Sequence, residues 1–313
     1  MSGVRTPLVI VNPRAGGGRA GRTFSQVRAV IEGRLGPVDV ATTDRPGHAI
    51  ELARDAAREG RSLIVAVGGD GTLHEVVNGV LDAGGDTAVG YVGQGTGGDF
   101  RRTLGVEHRL DRYVGALAHG REKLLDVGKV TFRSRSGATD SRWFVNVLSA
   151  GVGGLVDQYV ARTTKAFGGT AAYFWAGLRA LASCQHARLT CTRTLDGRRD
   201  VLEFGAYLVA ICNGRFFGSG MHVAPMADVQ DGRLEVIVMD APSKVAFAAC
   251  SRTIYRGGHL SAPCVKHFAC NRISLDLVGD YARDVFLLDV DGEPLGSLPL
   301  EVEVAPAALR VRV

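Results

Sequence analysis

Several things are scarce in this 313-residue sequence, and each scarcity excludes something. No apolar run approaches the ~20 residues that cross a bilayer as a helix, which excludes an integral helical membrane protein. Near the start, the short apolar run Leu8–Val11 gives way at once to Pro13 and Arg14, which is not the pattern of a secretory signal. The six cysteines (Cys184, Cys191, Cys212, Cys250, Cys264, Cys270) form no CxxC pair and have no histidine at zinc spacing. Neither a disulfide scaffold nor a zinc module is expected, and the thiols read as reduced packing residues of a cytosolic protein. Lysine is rare, with five among 37 basic residues; the rest are arginine. The net charge of +5 fits nucleic acid, an anionic membrane surface or phosphorylated ligands, and selects none of them. Repeats and low-complexity segments are absent. An apolar fraction of 46% and a charged fraction of 22% suit a chain that buries a sizeable core. The length suggests about two domains.

Glycine, in contrast, is plentiful at 42 residues, and the first third of the chain concentrates it in three turns. Leu8–Val11 reads as a buried strand, followed by Asn12-Pro13-Arg14-Ala15-Gly16-Gly17-Gly18-Arg19 and a helix with Phe24, Val27, Ile31 and Leu35 on its inner face. The run over 62–67 is a second buried strand. It ends in Gly68-Gly69-Asp70-Gly71-Thr72, before a helix with Leu73, Val76, Val77, Val80 and Leu81 on one face. Ala88–Val92 is a third, ending in Gly93-Gln94-Gly95-Thr96-Gly97-Gly98-Asp99-Phe100-Arg101-Arg102. A strand–glycine turn–helix unit aims backbone N–H groups and a helix N-terminus at one spot, which suits phosphate. In open α/β sheets, ligands bind just outside these strand ends. Asp70 alone would repel a phosphate. It fits there if it works through magnesium, a bound water or a sugar hydroxyl, and the plain alternative is a helix cap. Between the first two units, Val38–Thr42 reads as a strand and Thr43-Asp44-Arg45-Pro46 as a helix start, with Thr43 as cap or ligand contact. His48, one turn in, reads as a surface or packing residue.

From about Leu124 the pattern alternates. Strands are expected over 124–131, 143–148, 188–194, 201–211, 234–239, 273–277, 285–290 and 309–313, with Asp196-Gly197 as a hairpin turn. Helical pieces are expected at Thr170–Ala182, rich in aromatics, and at Lys244–Tyr255. The reading is an α/β domain over 1–124 and an antiparallel sheet domain over 125–304, with the strand 305–313 free to return to the first. Two acidic turns stand out: Asp228–Arg233, and 288–294 with Asp289, Asp291 and Glu293. Each contains Asp-Gly, a favoured turn dipeptide, so each is also a plain turn.

The ordered set VNPRAGGGR, VGGDGTLHEVVNG, GTGGDFRRTLG, LLDVGKV, Asn146–Gly151, NGRFFGSGMHVAPMADVQDGRLEV and LDVDGEP resembles the diacylglycerol kinase catalytic family, specifically its bacterial lipid kinases. GGDGT alone is shared with NAD kinases; the ordered set, ending in DGEP, is far more specific. The resemblance implies an N-terminal Rossmann-like α/β nucleotide domain, a C-terminal antiparallel β-sandwich domain and a site in the cleft between them. By position it implies that Asn12, Pro13, Arg14, Ala15, Gly16, Thr43, Gly68, Gly69, Asp70, Gly71, Thr72, Leu73, His74 and Thr96 contact ATP. Glu293 would be the general base, with Asp289 and Asp291 as alternatives the sequence does not separate. Asp228, Asp231 and Arg233 would form a structural magnesium site. Asp70 and Asp99 would sit near a catalytic magnesium, and Arg102 near the phosphates. Three places depart from the family pattern: Gly93 and Gln94 stand where a proline and an apolar residue usually precede GTG, Gly98 where an asparagine is usual, and His74 where many members have asparagine and sphingosine-kinase-like members histidine.

The resemblance therefore implies an ATP- and magnesium-dependent lipid kinase that phosphorylates a lipid hydroxyl, with diacylglycerol giving phosphatidic acid as the first expectation. The alternatives are another lipid (a sphingoid base or phosphatidylglycerol), a soluble acceptor such as NAD, or a nucleotide- or lipid-binding regulator without catalysis. The expected setting is cytoplasmic, with peripheral contact to a membrane that presents the lipid. No nucleic-acid partner is expected, and a homodimer is left open.

Overall fold

The apolar runs LVIV, LIVAVG and AVGYVG are buried along their whole length, as strands covered on both faces must be. In a computed structural model, which describes residues 5–134, 137–162, 179–279 and 281–313, they form β1 (Leu8–Val11), β3 (Leu63–Gly68) and β4 (Ala88–Gly93), with β2 (Asp39–Thr42) beside β1. These four strands are parallel, in the order β4-β3-β1-β2. The connecting helices are α1 (Arg19–Leu35), α2 (His48–Arg58), α3 (Asp70–Asp82), the short α4 (Asp99–Thr103) and α5 (Leu110–His119). Right-handed crossovers put α2 and α3 on one face, where they pack together, and α1 and α5 on the other. The C-terminal strand ends, and all three glycine turns, therefore meet along one edge.

The second half is antiparallel and β-sandwich-like. Its strands are β5 (Glu122–Ser134), β6 (Thr139–Phe144), β7 (Val147–Gly151), β8 (Ala187–Leu195), β9 (Arg198–Ala206), β10 (Leu208–Cys212), β11 (Phe216–Phe217), β12 (Met221–His222), β13 (Leu234–Met239), β14 (Val265–Cys270), β15 (Arg272–Leu277), β16 (Leu287–Val290) and β17 (Glu293–Arg312). Its helices include α6 (Val152–Arg162) and α7 (Lys244–Ser251). One strand joins the halves. β17 pairs with β16 at its start and with β5 along most of its length, and Val311 pairs in parallel with Val89 of β4. Separate apolar clusters lie beneath the two halves: one in the first on Ile10, Val65 and Val76, and two in the second, on Phe144, Leu189 and Phe286 and on Leu155, Met239 and Phe247.

Several expected elements differ in the structure. The strand expected over 143–148 is broken at Val145–Asn146, because the N–H groups of 145–147 turn toward the Asp291 carboxylate instead of a neighbouring strand. The run 201–211 splits at Tyr207 into β9 and β10. The short C-terminal strand is the end of the 20-residue β17, held in register by β5. The helix expected to start at Thr43-Pro46 starts at His48. Gly47 precedes it in a left-handed conformation, and its first amides are capped from α3: Glu75 accepts from Gly47 N at 2.9 Å and Ala49 N at 3.0 Å. The helix expected over 244–255 ends at Ser251, followed by a 3-10 turn at Ile254–Arg256. The aromatic helix expected at 170–182 lies largely outside the described residues. Asp196-Gly197 is the expected hairpin turn, with both residues at positive φ. No helix among the described residues is long and apolar enough to cross a membrane.

Candidate active site

The three glycine turns touch one another, and small residues allow it. A Cβ on Gly95 would stand 2.6 Å from the Gly69 Cα, so only glycine lets the second and third turns approach this closely. Gln94 N donates to Gly68 O at 2.7 Å. The first turn joins through Arg19, which donates to Gln94 O at 3.0 Å, and through Asn12, whose Nδ2 donates to Thr72 Oγ1 at 3.2 Å. Asn12 also accepts from Arg14 N at 3.0 Å, which folds Asn12–Arg14 into a tight local turn. Thr43 is buried beside this turn, its N–H donating to Val11 O at 2.9 Å. Thr96 is exposed at the tip of the third turn.

Asp70 is the first residue of α3, but it does not cap it. Gly69 is the extended N-cap and offers no side chain. The first N–H groups of α3 therefore have no intrahelical partner and face the turn cluster. The Asp70 carboxylate reaches across instead: Oδ2 accepts from Gly98 N at 2.6 Å and Asp99 N at 3.4 Å, and a Cβ on Gly97 would stand 2.7 Å from it. Oδ1 is buried with no hydrogen-bond partner. Burial raises the Asp70 pKa, against the pull of these amides. Asp99 is raised for the same reason, burial first, although its oxygens accept from Ser219 N at 2.8 Å and Arg102 Nη1 at 2.9 Å. Two neighbouring carboxylates pushed up in this way, one with an orphaned oxygen, are a donor set that fits a divalent cation.

The second half of the chain contributes through the turn between β16 and β17. Asp291 and Gly292 have φ of 51° and 90°, which is a two-residue hairpin turn. Both Asp291 oxygens are committed: they accept from Val145 N (2.9 Å), Asn146 N (3.1 Å) and Val147 N (3.0 Å), and His74 Nδ1 lies 3.2 Å away. Asp289 is buried and accepts from Gly292 N at 3.0 Å. Glu293 is different. Its side chain is 36% exposed, its Oε2 lies 3.9 Å from His74 Nε2, and its Oε1 would sit 3.6 Å from a Cβ on Gly71 of the GGDGT turn. Of the three carboxylates in this turn, Glu293 is the one that meets the glycine cluster. Its pKa is raised, by burial first, while the His74 charge works the other way.

His74 is 1% exposed and lies between these carboxylates. Burial disfavours its charged form, but the Asp291 hydrogen bond and the charges of Glu293 and Asp291 outweigh this and raise its pKa. Its side chain faces the β16–β17 turn, and that of Leu73 is in the core. Asn78, one turn on, exchanges hydrogen bonds with the backbone of Trp143 at 2.9 and 3.0 Å and so locks α3 to the second half. Sequence reasoning passed over Glu75, Asn78 and the anchoring role of Asp291. The available signal was the polar trio His74, Glu75 and Asn78 in an otherwise apolar helix.

The Asp228–Arg233 loop is held by other residues. Asp126 holds it, accepting from Gly232 N and Ala307 N at 2.7 Å each. Asp228 and Asp231 each accept from an amide two residues on, and Arg233 pairs with Asp196 at 2.9 Å. Burial and the nearby charges of Asp228, Glu235 and Asp126 raise the Asp231 pKa. No group of three metal-ligating side chains gathers among the described residues.

Residues 6–130 match the family model of the diacylglycerol kinase catalytic domain, and residues 146–313 match that of the YegS C-terminal NAD kinase beta sandwich-like domain. The chain belongs to the family that carries this YegS C-terminal domain, here behind a diacylglycerol kinase catalytic domain. The kinase is 25% identical over 294 residues to "Diacylglycerol kinase" of Bacillus subtilis strain 168, covering 94% of this chain and 91% of that one. It is 24% identical over 285 residues to "Probable lipid kinase YegS" of Escherichia coli O127:H6, covering 88% and 86%. A crystal structure of a diacylglycerol kinase from Bacillus anthracis strain Sterne superposes with a TM-score of 0.71 at 20% identity, covering 100% of this chain and 98% of that one. At that identity the likeness establishes the fold. The chain is thus a kinase of the lipid kinase family, with ATP as the co-substrate the family implies.

Proposed function

We propose that this kinase transfers the γ-phosphate of ATP to the free hydroxyl of diacylglycerol, giving phosphatidic acid, with Glu293 as general base. The observation that carries the proposal is the approach of Glu293 to Gly71: a half-exposed carboxylate from one half of the chain faces the glycine turn of the other. Phosphoryl transfer asks the protein for positioning, charge neutralisation and a proton acceptor. Asn12–Gly16, Thr43, Gly68–His74 and Thr96 line or support the nucleotide side. The unpaired N–H groups at the start of α3 face the transferring phosphate. Glu293 takes the hydroxyl proton as the bond to phosphorus forms. His74, held by Asp291, keeps Glu293 oriented and favours its ionised form. Arg102, paired with Asp99, lies beside the phosphates.

The Asp70–Asp99 pair would hold a magnesium ion, directly or through its waters, and the ion would neutralise charge on the phosphates. The crowded carboxylates around Asp231 fit a second, structural magnesium at the 228–233 loop, with main-chain oxygens from Asp228 and Arg233. Pulling a long acyl chain into water costs on the order of 10 kcal/mol, so the kinase would dock peripherally on the membrane that presents its acceptor. Arginines beside an anionic leaflet would contribute about 1 kcal/mol each.

The test is labelled-ATP transfer to mixed membrane lipids, with identification of the labelled product. Label in phosphatidic acid, lost in Glu293→Ala, is expected. Label on NAD and on no lipid would overturn the acceptor, and unchanged turnover in Glu293→Ala would overturn the base.

A further inference from the structure

On the face of the sheet opposite α3, a cavity of about 90 Å³ lies between the third glycine turn and α5, lined by Tyr91, Thr96, Arg101, Arg102, His108 and Tyr113 together with turn glycines. The proposed transfer uses none of Tyr91, Arg101, His108 or Tyr113. The lining includes no carboxylate. It does include donors without acceptors. The Tyr91 hydroxyl belongs to a residue only 8% exposed and has no hydrogen-bond partner, and the buried Nε of Arg101 has none either. Arg101 is held in place by its Nη1, which donates to Val106 O at 2.8 Å. Gly98, at φ 68°, leaves the guanidinium room: a Cβ there would stand 3.1 Å from Arg101 Nε.

The remaining polar groups agree in sign. Tyr91 and Tyr113 meet edge to face, with centroids 5.8 Å apart. Burial first, then the Asp70 carboxylate, pushes the Tyr91 phenol far up, so it remains an O–H donor. Burial and the charges of Arg101, Arg19 and Arg102 hold His108 below its ordinary value. His108 Nδ1 and the Tyr113 hydroxyl share a hydrogen bond of 2.9 Å. Asp70 and Asp99 oppose an anion from the far side of the turn, but Asp99 is already paired with Arg102. Buried donors without acceptors are costly, and an oxyanion supplies several acceptors at once.

We propose that this cavity binds a tetrahedral oxyanion of phosphate size, beside the nucleotide site and sharing Thr96 and Arg102 with it, at a position that bound ADP leaves open. The same chemistry is offered by inorganic phosphate in solution and by a phosphomonoester lipid headgroup.

Calorimetric titration with inorganic phosphate, in the presence of saturating ADP, tests it. The wild-type chain is expected to bind phosphate. Arg101→Ala, which removes a charged donor, is expected to weaken binding by about tenfold or more, and Tyr91→Phe, which removes one oxygen and keeps the packing, by several-fold. Equal affinity in the wild type and both variants, no binding to the wild type, or complete loss of phosphate binding when ADP saturates the protein would each overturn the proposal. Sedimentation with phosphatidylcholine vesicles, with and without phosphatidic acid, separates the two sources. Arg101-dependent binding to the phosphatidic acid vesicles, competed by phosphate, assigns the site to a headgroup. Vesicle binding indifferent to Arg101→Ala, alongside lost phosphate binding, assigns it to the free anion.

Discussion

Two Asp-Gly turns, Asp231-Gly232 and Asp291-Gly292, look alike on paper and differ entirely in three dimensions. At 291–292 the aspartate is the anchor: it is 4% exposed, sits at positive φ and satisfies three main-chain amides of another segment as well as His74. At 231–232 the aspartate accepts a single amide two residues on, and the loop is fixed from outside by Asp126. The same dipeptide thus organises the candidate site in one place and decorates a supported loop in the other. Turn chemistry fixes local geometry alone; what the aspartate side chain finds once the chain has folded decides its weight.

The comparison is sharpest at Glu293, which follows the first of these turns. Glu293→Ala is expected to lower kcat by roughly 10²–10⁴-fold, as for loss of a general base, while a fluorescent ATP analogue still binds. Next in size is Asp291→Asn. Asparagine tolerates positive φ, so the variant removes the charge and spares the turn. The remaining oxygen can still serve Asn146 N and Val147 N, but Val145 N then faces an NH2 and His74 loses its charged partner, which together should cost about 3 kcal/mol in urea unfolding. Asp126→Asn, which leaves an acceptor for only one of Gly232 N in the other loop and Ala307 N in β17, should cost about 2 kcal/mol by the same measurement. Asp231→Asn should cost no more than about 1 kcal/mol. If Asp231→Asn proved as damaging as Asp291→Asn, the contrast between the turns would fail.

The smallest effect is a shift in pH dependence. His74 lowers the Glu293 pKa, against burial, which raises it. Glu293 works as a base when ionised, so activity falls as the pH drops through its pKa. Removing the imidazole in His74→Asn lets that pKa rise, and the acid limb of the kcat/KM profile should move to higher pH. A limb that stays put, or moves down, would mean His74 does not act on Glu293.

Much of the site was legible because it is local. A glycine between a buried strand and an amphipathic helix announces a turn wherever it falls, and three such turns on parallel strands must share one edge of the sheet. Asp196-Gly197 was readable as a hairpin for the same reason. The elements misjudged are those whose backbone groups find partners far along the chain. The break at Val145–Asn146 follows from an aspartate 145 residues on or more. The late start of α2 follows from Glu75, which reaches its first amides from the neighbouring helix. A window of neighbouring residues carries no record of such bonds.

The sequence by itself determined the α/β beginning, the antiparallel remainder, the three glycine turns and the carboxylates available to the chemistry, because periodicity and turn residues act within a few positions. Only the tertiary structure decided which carboxylate faces the glycine turns. Three acidic residues lie within five positions in 289–293, and spacing cannot rank them. Folding does, by giving Asp291 three amides to satisfy and Asp289 the amide of Gly292, and leaving Glu293 turned toward Gly71. A buried carboxylate goes where N–H groups need it, and the one with no such claim is free to meet a substrate.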